Sequence, residues 1–516
     1  MSIGSSGRIV IEVPADKKRF LYSELSKRGL SLKDWFLDQV NDYLRSTVDP
    51  TPQTPSPVTP RMQEAHTRQK SPTKLTTAIS SEASSSALIK TYETLESRYS
   101  VRVLQSDVSY VSPVNFVESL RRPRHRWFPY KEGFSPTFVQ GFISEFQTKK
   151  NGLVLDPFSG VGTTSLVASS MGLNAIGFDV SPMAIFISKT KSISLSKSEL
   201  LKFSDYIKSL PTTNASNQYP APENGTVVGY FERPYLDALL SVRWIANQAP
   251  TEKIRNLALL AYLTLIEEFS THRKAGNGVK RKTRIEYRNL NSSPFEQVRS
   301  SFIQKLIQME DDLRHDPLII KPHFYEASCI EAKETSKIED VSLALTSPPY
   351  ANCFDYSKIY MRELWLGDFF KSTEDQKSFR KDSIRSHVHA TWKDRHVEHG
   401  SEIAEKLIKP LLSSQDLWSE KIPGMITGYF KDLGSLLSTI HPKFSKGSSF
   451  GIVVGNSVYG GLPIATDLLI AEMAESIGYQ VSRIDVYRGV IPSSQQYNLI
   501  DDRRWAREST VILKKK

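Results

Sequence analysis

The chain is poor in cysteine. Of its 516 residues only Cys329 and Cys353 carry a thiol, which excludes a disulfide framework and fits a reducing compartment. No Cys/His group has the spacing of a zinc site, so no metal is expected. Long apolar runs are lacking too. The longest, Leu257–Ile266, falls well short of the ~20 residues that a membrane-spanning helix needs. The N-terminal Met1-Ser-Ile-Gly-Ser-Ser-Gly-Arg8 has no apolar core of a secretory signal. The expectation is a cytoplasmic protein without a membrane partner. Acidic charge is in deficit: the net charge is +11 and the pI near 9.2, which favours a polyanionic partner. The length is too great for one ordinary domain.

Two stretches carry chemistry. Val341-Ser-Leu-Ala-Leu345 is short, apolar and β-prone, and reads as a buried strand. Thr346-Ser-Pro-Pro-Tyr350 follows it. Neither proline has an N–H to donate and both have fixed φ, so the strand must end and the chain must turn. That leaves the Ser347 hydroxyl, the carbonyl of Pro348, the rigid Pro349 and the Tyr350 ring at the carboxyl end of a strand, where open α/β sheets bind ligands. A hydroxyl, a carbonyl bracket and an aromatic platform suit a flat ring carrying an exocyclic amine. The second stretch is Leu153-Val-Leu-Asp-Pro-Phe-Ser-Gly-Val-Gly-Thr-Thr164. Gly160 and Gly162 let backbone come close to a ligand because no Cβ intrudes. Asn174-Ala-Ile-Gly-Phe-Asp179 then reads as a second strand ending in an acid, at about the distance at which such folds place a ribose-binding carboxylate.

Thr346–Tyr350 resembles the catalytic motif of amino-methylating DNA methyltransferases, in the version seen in enzymes that methylate the N4 amine of cytosine. The adenine-N6 relatives more often have Asp or Asn where this chain has Ser347. The strand, glycine loop, helix, strand and acid of residues 153–179 resemble the S-adenosyl-L-methionine site of class I methyltransferases. By that resemblance Phe158, Gly160, Gly162 and Thr163 line the cofactor and Asp179 holds its ribose hydroxyls. Asp156 orients the glycine loop or meets the methionine amine. Ser135, the cap of a helix beginning at Pro136, sits where the family packs a helix on the methionine end of the cofactor. Either Glu326 or Ser328 corresponds to the family's adenine-binding position. The fold implied is α/β, a doubly wound, mostly parallel sheet with a final antiparallel pair. The activity implied is methyl transfer to cytosine N4 in double-stranded DNA, beside a cognate restriction endonuclease. Adenine N6 is the near alternative, and a DNA-binding regulator with an inactive enzyme domain is the alternative of another class. Carbon-5 methylation would need a cysteine after a proline, and neither Cys329 nor Cys353 follows one.

The remaining chain divides around these motifs. In residues 1–48, Arg8–Val13 reads as a strand, and Ala15–Arg28 and Leu32–Leu44 as helices with Phe20, Leu21, Leu25 and Trp35, Phe36, Val40, Tyr43 as apolar stripes. So short a unit cannot bury a core alone. It resembles the ribbon-helix-helix fold, which pairs strands between subunits. Its outward set of Arg8, Val10 and Glu12 reads a groove poorly, so a homodimer through this module is its expected role. Residues 49–88, Pro-, Thr- and Ser-rich, are expected to be a disordered linker. Residues 89–190 form the cofactor half, 191–320 a helical insert suited to target recognition, and 321–516 the catalytic half. Basic side chains expected to meet DNA phosphate are Arg124 and Arg126, in the run Arg121–Arg126, and Lys280, Arg281 and Lys282, in a glycine-containing mobile loop over residues 274–284. Asp355-Tyr356 and Arg362–Trp365 read as structural. Residues 393–402 are expected to form another DNA-facing loop, and the loop at 491–494 with Arg507-Glu508 is expected to touch the flipped base.

Overall fold

The computed structural model describes residues 72–516, apart from 105–113, 132, 148, 214–216, 284–290, 332, 391, 393–399 and 491–502, together with Leu21, Leu25 and Trp35. The chain divides into two units, Met1–Lys70 and Ser71–Lys516. In the first, Leu21 and Leu25 are helical, as is Trp35; each falls within one of the two expected helices. The expected strand at Arg8–Val13 lies outside the described residues, as do the Pro/Thr-rich segment and the loop at 491–494.

In the second unit the strands in chain order are β1 (Val101–Val103), β2 (Leu153–Asp156), β3 (Asn174–Asp179), β4 (His272–Ala275), β5 (Gly278–Arg281), β6 (His323–Glu326), β7 (Val341–Thr346), β8 (Phe444–Gly455), β9 (Ser457–Tyr459), β10 (Leu462–Ile464), β11 (Tyr479–Gly489) and β12 (Arg507–Lys515). Eight of them form one sheet in the order β1-β11-β12-β8-β7-β2-β3-β6. β12 runs antiparallel to both neighbours, and every other pairing in the sheet is parallel. β7 is buried along its whole length, which is why it reads as a continuous apolar run rather than an alternating one.

The longer helices are α1 (Pro72–Arg98), α2 (Pro136–Phe146), α3 (Thr163–Ser170), α4 (Pro182–Lys191), α5 (Lys197–Ser209), α6 (Arg233–Asn247), α7 (Glu252–Glu268), α8 (Pro294–His315), α9 (Thr373–Asp382), α10 (Ile422–Ile440) and α11 (Thr466–Ile477). On one face of the sheet, Phe138, Val139 and Phe142 of α2 and Val167 of α3 pack on Val154, Leu343 and Leu345. On the other, Leu88 and Tyr92 of α1, Leu433 of α10 and Leu468 of α11 share a core with Leu155, Ala344 and Ile452. α6, α7 and α8, inserted between β3 and β6, centre a second core around Leu239, Leu260 and Phe302, which Trp127, Met183 and Trp365 share.

The strand order fixes where a ligand can sit. From β2 the chain winds outward through β3 to β6, then returns to β7 on the other side of β2 and continues to β8. The reversal places the carboxyl ends of β2 and β7 side by side with no crossover helix between them, the arrangement that opens a crevice in doubly wound sheets.

Two expectations are corrected by the fold. The stretch 49–88, read as disordered linker, ends in helix: α1 begins at Pro72. Leu88, Tyr92 and Leu95, spaced as one helical stripe, are buried. Tyr92 lies on Trp505 at 5.3 Å and donates to the Pro463 carbonyl at 3.1 Å. Docking of that stripe outweighs the indifferent helix propensity of the serine run. The segment 274–284, read as a mobile loop, contains instead the β4–β5 hairpin. Gly276, with φ +54°, serves a tight turn there rather than mobility. Asn277, in that turn, donates to the Asn352 carbonyl at 2.8 Å, so the hairpin reaches the loop that follows Tyr350.

Candidate active site

At the switch point the two sequence motifs are bonded to each other. Thr346, the last residue of β7, donates from Oγ1 to Asp156 Oδ1 at 2.7 Å, and Asp156 is the last residue of β2. The Phe158 N–H reaches both Thr346 Oγ1 at 3.1 Å and Asp156 Oδ1 at 3.2 Å. This three-way contact fixes the start of the glycine loop against the start of the Ser347 turn. Burial raises the Asp156 carboxyl to about 6, against the lowering pull of hydrogen bonds from Thr346, Thr164 and the Phe158 N–H.

The loop then wraps over β3. Gly160, at φ +49°, turns its N–H to Asp179 Oδ2 at 2.8 Å, while Asp179 Oδ1 accepts from the Ser181 N–H at 2.8 Å. Ser181 caps α4 through the Ala184 N–H, with Pro182 in the first turn. Asp179 is thus held by two backbone donors, and burial brings its carboxyl to about 6. A Cβ on Gly160 would stand 3.2 Å from the Tyr130 ring, so glycine is required for that approach. Gly162, at φ +84°, has a different task. A Cβ there would meet Ser188 and Phe324 at 3.1 Å, which packs the loop down on α4 and β6.

Asp156, Phe158, Ser159, Gly160, Thr163 and Asp179 line one cleft together with Ser347 and Pro349. The glycine loop and the Ser347 turn therefore share a cavity, of roughly 1250 Å³ including its open mouth. Among its lining, the buried Ser159 hydroxyl has no hydrogen-bond partner among the described residues. A glycine cradle, two buried carboxylates and a spare hydroxyl fit an adenosyl amino acid. Of the two positions left open by the sequence, Ser328 lines the cleft, whereas Glu326 is exposed and does not. Tyr350 is turned along the sheet. Its Oη accepts from Ser347 Oγ at 3.5 Å and donates to Glu508 Oε1 at 3.0 Å.

Other walls carry no motif. Tyr130 and Tyr356 line the cleft with rings 6.1 Å apart and 20° from parallel, and Tyr130 continues the stack onto Tyr360 at 4.9 Å. Tyr356, read as structural, therefore also faces the cleft. His125, Phe128 and the buried Lys191 line one side, and Phe379, Ser383, Ser386 and His387 another. Lys191 donates to the carbonyls of His125 and Phe128, and burial lowers it to about 7. Aromatics near residue 128 were visible in the sequence. Nothing there marked the polar stretch 379–387, which reaches the cleft only because α9 folds back over it.

Several expected site residues lie elsewhere. Arg124 is buried: it donates to the carbonyls of Asp316, Lys191 and Ile193, so it staples the chain and does not meet phosphate. Arg126 pairs with Asp312, which also takes the Trp127 indole N–H at 2.7 Å. Lys282 spends its ammonium on the carbonyls of Glu267 and Glu268, closing the end of α7. Lys280 and Arg281 of β5 are exposed. Ser135 accepts from the Phe138 N–H as the cap of α2; its neighbours Gly133 and Phe134, not Ser135 itself, line the cleft. Pro348 is buried behind the lining. Arg507 is committed to Asp467 and Glu96. Cys353 is a buried side chain against Met425 and Tyr459.

One group has the makings of a cation site. Asp355, His387 and His389 bring ligand atoms within 4.8 Å of one another. Both Asp355 oxygens are already engaged, one by Ser357 and the other by the Arg380 guanidinium at 2.8 Å. Arg380 supplies the positive charge there, and burial keeps His387 neutral, at about 4. The cluster anchors the 383–387 wall of the cleft.

Comparison with known proteins agrees with this geometry. A family model described as DNA methylase, for N6 and N4 amino-methyltransferases, matches residues 11–190, a span that takes in the glycine loop and Asp179. With its sheet and cleft, the chain is of the amino-methylating DNA methyltransferase class, and S-adenosylmethionine is its methyl donor. Type II methyltransferase M.AvaI of Nostoc sp. is 25% identical over 410 residues, covering 74% of this chain and 85% of that one. Type II methyltransferase M.BsoBI of Geobacillus stearothermophilus is 25% identical over 436 residues, covering 76% and 85%. Among solved structures, TrmN from Thermus thermophilus is 9% identical, with a TM-score of 0.27, over 78% of this chain and 53% of that one. At that distance the likeness carries no argument, and the fold assignment rests on the sheet order.

Proposed function

We propose that the protein methylates the N4 amine of cytosine in double-stranded DNA as the modification enzyme of a restriction–modification system. The observation that carries this reading is the meeting of Ser347 and the glycine loop in one cleft at the switch point. When bound, S-adenosylmethionine supplies an electrophilic sulfonium methyl. The exocyclic amine is a poor nucleophile because its lone pair is conjugated into the ring. Hydrogen bonds from that amine to Ser347 Oγ and the Pro348 carbonyl favour a pyramidal nitrogen whose lone pair points toward the glycine loop. Positioning and exclusion of water supply most of the gain. The target atom is inside the duplex, so the base is flipped out, and the Tyr130 and Tyr356 rings of the lining are aromatic surfaces open to it.

The relatives M.AvaI and M.BsoBI are Type II methyltransferases, which supports the restriction–modification setting and a cognate endonuclease. Lys280 and Arg281 on the β5 hairpin suit the DNA backbone. Two buried free thiols suit the cytoplasm, and among the described residues no helix is long and apolar enough to cross a membrane. The homodimer belongs to the N-terminal module and is tested by sedimentation of the full chain. Adenine N6 is the second reading. The motif order, cofactor loop first, then a helical insert, then the catalytic turn, keeps it open, since the Thr-Ser-Pro-Pro-Tyr version is seen more often in the opposite order. Incubation of DNA with labelled S-adenosylmethionine, followed by nucleoside mass spectrometry, separates the two: N4-methylcytosine supports the reading and N6-methyladenine overturns it.

A further inference from the structure

The Ser347 turn is wired to β12, the antiparallel strand third in the sheet. Glu508, the second residue of β12, sits in register with Gly455 of β8. A Cβ on Gly455 would fall 2.8 Å from the Tyr350 ring, so glycine there lets the ring lie down on the strand and aim its hydroxyl at Glu508. The Glu508 side chain is almost wholly buried, and it uses both oxygens: Oε1 accepts from Tyr350 Oη at 3.0 Å and Oε2 from Arg488 Nε at 2.6 Å. Tyr350 Oη in turn accepts from Ser347 Oγ at 3.5 Å, a length of the kind that tightens when substrate is bound. Hydroxyl, phenol and carboxylate form one directed chain from the cleft to Arg488, whose side chain reaches partial solvent exposure.

We propose that this chain is the proton exit of the methyl transfer and that Glu508 is its terminal acceptor. The inference rests on the amino-methylation reading above. When the C–S bond breaks, its electron pair stays on sulfur and the amine nitrogen bonds the methyl carbon, leaving a positively charged nitrogen that must lose a proton. That proton passes to Ser347 Oγ as Ser347 gives its own to Tyr350 Oη, and Tyr350 gives its own to Glu508 Oε1. The N–H electron pair returns to nitrogen and Glu508 ends as a carboxylic acid. An alkylated ring amine is a strong acid, so a carboxylate paired with Arg488 is basic enough to take the proton. Glu508 touches no substrate, so it is a positioning and relay residue acting through Tyr350.

The test uses the full-length protein with S-adenosylmethionine and DNA. Proton transfer by a placed group is worth about 10²–10⁴-fold. Glu508→Gln should slow single-turnover methylation on the order of 10²-fold while cofactor affinity by calorimetry stays within about twofold. Glu508→Asp, which keeps the carboxylate, should recover part of the rate. Tyr350→Phe should cost a similar factor, and the Tyr350→Phe/Glu508→Gln double variant little more than either, as for residues acting as a unit. At saturating S-adenosylmethionine the single-turnover pH profile of Glu508→Gln should differ from that of the wild type. In the ligand-free protein, Glu508→Gln should shift one tyrosine's absorbance titration to lower pH, a shift missing in the Tyr350→Phe background. Wild-type rate and profile in Glu508→Gln, or losses that multiply in the double variant, would overturn the relay. A wild-type protein that methylates no amino base would overturn the underlying reading instead.

Discussion

Thr346 Oγ1 stands 2.7 Å from Asp156 Oδ1, and through that bond the last residue of one central strand holds the last residue of the next. Both side chains are buried. Thr346→Val keeps the shape and removes the donor. The buried carboxyl then loses its shortest hydrogen bond and keeps those from the Phe158 N–H and Thr164, a loss of about 1–2 kcal/mol. The expected outcome is that loss in denaturant unfolding, with weaker cofactor binding by calorimetry because the Phe158 N–H loses an anchor.

Ser347 is the proposed acceptor of the target amine, and it has no role in the glycine loop. Ser347→Ala should therefore abolish methyl transfer, assayed with labelled cofactor, and leave cofactor affinity within about twofold, since its one bond shown here is to Tyr350.

The cofactor affinity should depend on pH through Asp179. Its carboxyl lies at about 6 in the fold against an ordinary 3.8, and the ionised form is the one that accepts two ribose hydroxyls. Affinity should fall as the pH drops through 6, and Asp179→Asn should bind weakly with a smaller dependence, the part left to Asp156. The sign for stability is opposite. A carboxyl raised in the fold takes up its proton there before the unfolded chain does, so Asp156 and Asp179 make the ligand-free fold more stable as the pH falls from about 6 toward 4. A loss of affinity in that window, by calorimetry beside thermal melts, is then not unfolding.

Arg124 and Lys280 should separate stability from DNA binding. Arg124→Ala leaves three carbonyls without their donor and should cost on the order of 3 kcal/mol, with DNA affinity of the folded protein unchanged. Lys280→Ala and Arg281→Ala, at exposed positions, should change stability by no more than about 0.5 kcal/mol. They should weaken DNA binding and flatten its salt dependence, measured by fluorescence anisotropy from low to moderate salt.

Gly162 is a packing glycine within a binding motif. At φ +84° with Ser188 and Phe324 in the way, Gly162→Ala should destabilise by about 1–2 kcal/mol from the backbone alone. Circular-dichroism melts should show that loss.

The amino-acid order sufficed where chemistry is local. Pro348-Pro349 must stop a strand, Gly160 must turn through positive φ, and the alternation of strands with helices implies a doubly wound sheet. Helix ends were legible for the same reason: Ser135 with Pro136 and Gly478 at the end of α11 act within one turn of themselves. The target base was not legible to the same degree, since one hydroxyl at Ser347 accepts from either amine.

What a charged or aromatic side chain meets is a matter of residues distant in the chain. Arg121–Arg126 reads as a basic surface, yet Asp312 and the carbonyls at 191 and 193 draw Arg124 inside and hold Arg126. Glu508, far along the chain from Tyr350, read as a contact to DNA until strand pairing set it beside the ring. Backbone conformation follows from neighbours within a few residues, so it is written in the order of the amino acids. Burial, ion pairing and proton routes depend on which strands lie side by side, and that is settled only when the whole sheet assembles.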